Sequence, residues 1–143
     1  MIVLDSSFLI AFHNNRDFHH GAACAQMKEF LGGQWGQGLL LEYVFLEVET
    51  VMLLRKGLAA AKEVASLLIQ SEELEFVPCS DFFRETLETF LGQKETSLSF
   101  TDAAIVTTAL RRAEGRVLSF DQELLKYPGV GPLAMGADCG PQV

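Results

Sequence analysis

The sequence predicts a single α/β domain built in three layers, α/β/α, around a central and mostly parallel sheet. Three observations predict it. Short apolar runs alternate with longer helical stretches, the order expected when strands are joined by crossover helices. The 143 residues suit one globular domain and leave no room for two. With 49% hydrophobic and 21% charged residues the chain can build a core, which sets aside disorder and collagen-like repeats.

The elements follow in order. Ile2-Val3-Leu4 is a buried strand cut off by Asp5. After Ser6-Ser7, the run Phe8-Leu9-Ile10-Ala11-Phe12 predicts a helix that Asn14-Asn15 breaks. Ala22 to Leu31 is helical, with an apolar stripe of Ala22, Ala25, Met27, Phe30 and Leu31, and Gly32-Gly33 stops it. Leu39-Leu40-Leu41 is either a short strand or the lead into the next helix. Glu42 to Arg55 has few breakers and is apolar almost all round, which predicts a buried helix ended by Gly57; Leu58 to Ser71 makes another. Phe76-Val77-Pro78 reads as a strand closed by its proline, and Ser80 to Leu91 as a helix capped by Ser80 or Asp81. A loop from Gly92 to Leu98 leads to an Ala/Val/Ile/Leu-rich helix, Phe100 to Glu114. A strand, Arg116 to Ser119, and a short helix, Asp121 to Tyr127, complete the pattern. Beyond Pro128 the chain turns Gly- and Pro-rich, so the expected domain is 1–133 and 134–143 a loose tail, with no internal repeat.

Cys24, Cys79 and Cys139 are far apart and odd in number, a poor disulfide framework and a poor zinc site. The opening run lacks a basic leader and is cut by Asp5, so it reads as a strand and not a signal peptide. No apolar stretch approaches the roughly 18 residues of a membrane span. The expectation is a soluble, cytoplasmic protein without a membrane partner. Acids outnumber bases by 19 to 11, a formal charge of −8. That argues against gripping nucleic acid through a broad basic surface. Nucleic acid stays open as a substrate, because acids gathered on metal ions would change what a polyanion meets.

The position of the acids is therefore informative. Asp5 follows the first strand and Asp121 the last, where open α/β folds place their ligands. Each also suits a helix N-cap. Glu47 has Tyr43, Val44, Thr50, Val51 and Leu54 as helical neighbours, a nearly apolar face on which a carboxylate needs a cation, a network or a proton. A salt bridge to Arg84 or Arg111 is the structural alternative. Glu49 lies about 200° away in a row with Glu42 and Lys56, which reads as a solvated stripe. Asp102 stands in Ser99-Phe100-Thr101-Asp102, a capping-box variant at a helix start, where the helix dipole also favours an ionised carboxylate. Hard oxygen donors without clustered Cys or His suit Mg²⁺ or Mn²⁺.

With these residues in view, the chain resembles the PIN-domain nucleases, and among them the VapC-like toxins of type II toxin–antitoxin pairs. Ile2-Val3-Leu4-Asp5-Ser6-Ser7 is similar to the family's opening strand and acidic motif, and Tyr43-Val44-Phe45-Leu46-Glu47-Val48 to its second. Leu98-Ser99-Phe100-Thr101-Asp102-Ala103-Ala104 is similar to the third and Leu118-Ser119-Phe120-Asp121 to the fourth. The resemblance runs from Met1 to about Leu133 and implies that Asp5, Glu47, Asp102 and Asp121 form a catalytic metal site supported by Ser6. It further implies RNA hydrolysis by water activated at Mg²⁺ or Mn²⁺, a cognate antitoxin and a homodimer. Two departures are Glu123-Leu124, where relatives often carry another acid or His and then Phe, and the Cys139-containing tail. Glu123 reads as either an extra ligand or a helix surface charge, and the common exposure of Glu favours the second.

Candidate RNA-handling cations are Arg16, Arg55, Lys56, Arg111, Arg112 and Arg116, each also readable as ordinary surface charge. His13, His19 and His20 read as surface or helix-start residues, since adjacent histidines do not share a helix face. Trp35 and Tyr43 read as buried or partner-facing more than as base-stacking. Three other functions compete. One is a housekeeping RNase of the same fold, and another a binding scaffold that has lost catalysis. The third is an aspartyl-phosphate phosphatase of haloacid dehalogenase type using Asp5 as nucleophile. That family has a second Asp where this chain has Ser7, and it needs a lysine for which Lys94 and Lys126 have poor contexts.

Overall fold

In the computed structural model, which describes residues 1–131, Ile2, Val3 and Leu4 have no exposed surface. They form β1 (Ile2–Leu4), which lies inside a four-stranded, all-parallel sheet of order β3-β2-β1-β4. Its neighbours are β2 (Gly38–Leu41) and β4 (Val117–Leu118), with β3 (Leu74–Val77) on the far edge. Val3 pairs with Leu39 on one side and Val117 on the other. Every residue of β1 and β2 is buried, as expected for parallel strands covered on both faces by crossover helices.

The helices are α1 (Ser6–His13), α2 (His20–Leu31), α3 (Glu42–Lys56), α4 (Leu58–Gln70), α5 (Phe83–Leu91), α6 (Phe100–Arg112) and α7 (Gln122–Leu125). α1 packs on α2 and α3, α3 on α4, and α5 on α6, while α6 also reaches β1. α6 is the most deeply set, with Ala103 to Ala109 all buried. Two glycines permit close approaches. A Cβ at Gly38 would lie 2.6 Å from the Phe30 ring and 2.8 Å from Leu74. Gly115, at φ +81°, forms the turn into β4 against the carbonyl of Gly129.

The predicted α/β architecture and order of elements are observed, with one stated alternative decided and three local differences. Leu39-Leu40-Leu41 is a strand that pairs with both β1 and β3. α5 starts at Phe83, without a side-chain cap from Ser80 or Asp81. α3 is not buried all round: Val44, Val48 and Met52 face inward, while Leu46, Leu53 and Leu54 are exposed. Glu49 is not on a solvated stripe, since it is half-buried with Oε2 lacking a hydrogen-bond partner, and burial raises its pKa. Trp35 and Tyr43 pack partly buried against the core. Cys24 and Cys79 are free thiols. Among the described residues no helix is long and apolar enough to cross a membrane. The predicted tail, including Cys139, lies outside the described residues.

Candidate active site

The chain adds β2 and β3 on one side of β1 and then β4 on the other, so the order of strand addition reverses between β1 and β4, where a crevice opens at their carboxyl ends. Asp5 leaves β1 at that edge and Asp121 follows β4. Glu47 comes from α3 and Asp102 from the first turn of α6. All four carboxylates line one cleft of about 350 Å³. Ser6, Ser7, Asp17, His19, Arg55 and Ser99 line it with them.

Asp5 is only 2% exposed, and its orientation is fixed by hydrogen bonds. Oδ1 accepts from the Ser6 backbone N–H at 2.7 Å, capping α1. Oδ2 accepts from Ser119 Oγ at 2.6 Å and Ser7 Oγ at 2.8 Å. Those two hydroxyls accept in turn from the backbone N–H groups of Asp121 and Phe120, both at 2.9 Å. The segment after β4 is thereby tied to the start of α1. Ser6 Oγ donates to Glu47 Oε1 at 2.6 Å.

The capping and site readings coincide. Asp121 Oδ1 accepts from Glu123 N–H at 2.9 Å, and Ser99 Oγ accepts from Asp102 N–H at 3.1 Å. Asp121 thus caps α7 with its own carboxylate while lining the cleft, whereas at α6 the cap is Ser99 and the Asp102 carboxylate is left to the cleft.

The charges in the cleft are under strain. Burial pushes the Asp5 pKa above the ordinary range, hydrogen bonds from Ser119, Ser7 and Ser6 pull it back, and Asp121 adds to the rise. Asp102 is pushed up from 3.8 to about 6, first by burial and then by repulsion from Asp5 and Asp121. A set of oxygen donors that repel one another in a half-buried cleft suits a hard divalent cation. Among the described residues no group of three or more Asp, Glu, His or Cys side chains is gathered closely enough to hold a metal ion, so the four carboxylates line the cleft without forming a ligand set.

Glu47 corrects one expectation. It is exposed, not buried on an apolar face, because α3 turns that side to the cleft. Its partner is Ser6 and not an arginine; Arg111 pairs with Glu85 at 2.9 Å. Of the candidate cations, only Arg55 lines the cleft. Lys56 and Arg16 are exposed outside its lining. Arg112 pairs with Glu75 at 2.8 Å and Arg116 with Glu114 at 2.8 Å. Arg111 and Arg112 end α6, about 15 Å along its axis from Asp102. Glu123 is exposed and meets Lys126 at 3.3 Å.

Four residues at the site had no sequence signal of their own: Ser7, Asp17 and His19 line the cleft, and Ser119 holds Asp5. Ser119 meets Asp5 only through the β1–β4 pairing, while Ser7 reaches it locally from two residues on. Asp17 Oδ1 accepts from the His19 N–H at 2.8 Å, a local turn that places both residues in the cleft. The His19 ring stacks on Phe120 with centroids 4.4 Å apart and planes 3° from parallel. His19 is thus a cleft residue and not only a helix-start residue. His20 Nδ1 is 2.8 Å from the Ala11 carbonyl, and burial lowers the pKa of His13.

A family model described as PIN domain matches residues 2–130. The chain belongs to the PIN-domain family. Among solved structures, this PIN domain is similar to VapC20 of Mycobacterium tuberculosis, described as a sarcin–ricin loop cleaving toxin. The two superpose with a TM-score of 0.78 at 23% identity, covering 91% of this chain and 97% of the other. At that identity the likeness establishes a shared fold. No curated protein sequence matches the chain. For the rival phosphatase reading, the PIN domain offers an Asp5 whose oxygens are already occupied by three near hydroxyl or N–H donors, and no described lysine lines the cleft.

Proposed function

We propose that this PIN domain is a divalent-cation-dependent endoribonuclease, the toxin of a type II toxin–antitoxin pair, working in the cytoplasm. One observation carries the reading: Asp5, Glu47, Asp102 and Asp121, spread over the length of the chain, converge on one cleft. The structural likeness to a protein described as an RNA-cleaving toxin supports RNA as the substrate class.

Asp5, Glu47, Asp102 and Asp121 would hold Mg²⁺ or Mn²⁺. When bound, such an ion lowers the pKa of water and offsets charge on the reacting phosphate. The chain supplies the rest. The serines fix Asp5 in one rotamer, and Ser6 holds Glu47 toward the same cleft. One of these carboxylates, Asp5 or Asp102, would also take the proton of the attacking water. Arg55 meets the phosphate backbone from the α3 side. Leu46, Leu53 and Leu54 leave an exposed apolar stretch on α3 that a cognate antitoxin or a second copy would cover.

The test is cleavage of total RNA with Mn²⁺ or Mg²⁺, with EDTA, and with Asp5→Asn. Cation-dependent cleavage that the substitution abolishes supports the proposal, and cleavage that survives both EDTA and the substitution overturns it. Copurification with a small antitoxin separates a toxin from a housekeeping RNase.

A further inference from the structure

Among the described residues Phe18 is the most exposed large apolar side chain, at 92%. One exposed apolar residue needs no explanation by itself. Phe18, however, is the outer end of a row of rings. It meets the His19 ring with centroids 4.9 Å apart and planes at 81°. His19 stacks flat on Phe120, and Phe120 lies 6.3 Å from Phe8, which is fully buried. The row runs from the core to solvent, and its two middle rings, His19 and Phe120, line the acidic cleft.

The turn that carries Phe18, between α1 and α2, is held by hydrogen bonds. The buried Asn14 accepts at Oδ1 from the Arg16 N–H at 3.1 Å and at its carbonyl from the Asp17 N–H at 2.9 Å. The Asp17 carbonyl accepts from the His20 N–H at 3.0 Å, and its carboxylate from the His19 N–H. Asp17 and His19 both line the cleft, so Phe18 between them stands at its mouth. A ring that open adds almost nothing to the core, and none of these bonds needs it.

An aromatic ring at the mouth of a phosphate-binding cleft can hold an unpaired base, because every base has a π-face and stacking needs no base-specific hydrogen bond. Resting on the nuclease reading above, we propose that Phe18 is a stacking platform for an unpaired nucleobase of the RNA strand whose phosphate enters the cleft. His19 and Phe120 back the platform. A nucleic acid strand is the occupant the row favours, since its middle rings stand among the carboxylates. A phosphate bridged by cations belongs there, and an apolar protein surface does not.

The test measures binding of a fluorescent single-stranded oligoadenosine of about 12 nucleotides by anisotropy, with Ca²⁺ as the added cation, across a salt series. Phe18→Ala is expected to weaken binding about tenfold while leaving the slope of log K against log salt unchanged, since no phosphate contact is lost. Phe18→Trp should restore parent binding. An oligoadenosine–oligouridine duplex, whose bases are already stacked, should bind parent and Phe18→Ala alike. Leu91→Ala, at a residue 71% exposed and outside the cleft lining, is the control for lost apolar surface and should bind like the parent. Parent-like binding by Phe18→Ala, while the parent cleaves RNA, overturns the platform, leaves the nuclease reading standing and gives the ring to a protein partner instead. A loss that Phe18→Trp does not restore, or that Leu91→Ala or the duplex shares, also overturns it. So does a parent that cleaves RNA without binding the oligomer, because stacking accepts any base. A loss confined to Phe18→Ala, in a parent that binds but does not cleave, keeps the platform and removes the nuclease reading. A parent that neither binds nor cleaves RNA removes both.

Discussion

Ser6 donates a 2.6 Å hydrogen bond to Glu47, joining the first turn of α1 to the middle of α3 across 41 positions of sequence. Without it, an exposed glutamate would sample several rotamers and hold a cation less well. Ser6→Ala is expected to raise the Mn²⁺ concentration needed for half-maximal cleavage about tenfold. The cost in stability should be only about 1 kcal/mol. A cation titration of cleavage, set beside a urea melt, checks both.

Divalent cation should also stabilise the folded chain, because it binds a site that the unfolded chain lacks. At a hundred times its dissociation constant the gain is about 2.7 kcal/mol, a rise of roughly 9 °C in Tm. Asp5→Asn or Asp102→Asn should remove most of that rise. Thermal melts with and without Mn²⁺ measure it without any RNA present.

The raised pKa of Asp102 sets a pH dependence. Folded, the carboxyl titrates at about 6; in an ordinary environment it titrates at 3.8. Between those values the folded state binds more protons than the unfolded one, so this contribution is full below about pH 4 and is lost as pH rises through 6. In EDTA, urea midpoints of the parent should fall across that window relative to those of Asp102→Asn. Excess Mn²⁺ should reduce the difference. Parallel curves in EDTA would contradict the assignment.

Gly115→Ala should be among the most damaging single substitutions. Its φ of +81° is unfavourable for alanine, and the added Cβ would collide with the Gly129 carbonyl. A loss of about 2 kcal/mol or more is expected, read as a lower urea midpoint. Because this turn feeds β4, cleavage should fall as well.

Arg55 and Arg111 give a contrast between a cleft cation and a paired one. Arg55→Ala should lower kcat/KM for RNA several-fold. Arg111→Ala, which only frees Glu85 at the surface, should change stability by no more than about 0.5 kcal/mol and leave cleavage near the parent level. Steady-state kinetics on one RNA substrate decides between them.

Much of this was legible in the sequence because the signals are local. Asp5 follows a strand and precedes a helix, and Asp102 lies three residues after a capping serine; neither position needs tertiary knowledge. Glu47 was reached by a faulty step. Its apolar neighbours suggested burial, but a helix on a domain surface can expose leucines such as Leu46 and Leu54, and here that side opens on the cleft. Leu39-Leu40-Leu41 stayed ambiguous because three apolar residues fit a strand or a buried helix start equally well. Ser119, Asp17 and His19 were invisible for a different reason. Each acts on a partner brought close only by strand pairing or by the turn between α1 and α2.

The strand order has a consequence for the timing of activity. β1 is made well before β4, yet they are neighbours, and Ser119 reaches Asp5 across 114 positions of sequence. A chain still being synthesised holds Asp5, Glu47 and even Asp102 long before Ser119 and Asp121 emerge. Long-range parallel pairing of this kind is also slow to form. The cleft is therefore completed only once β4 and Asp121 have emerged, so partial chains that stop before Ser119 carry three of the four carboxylates but not the assembled site.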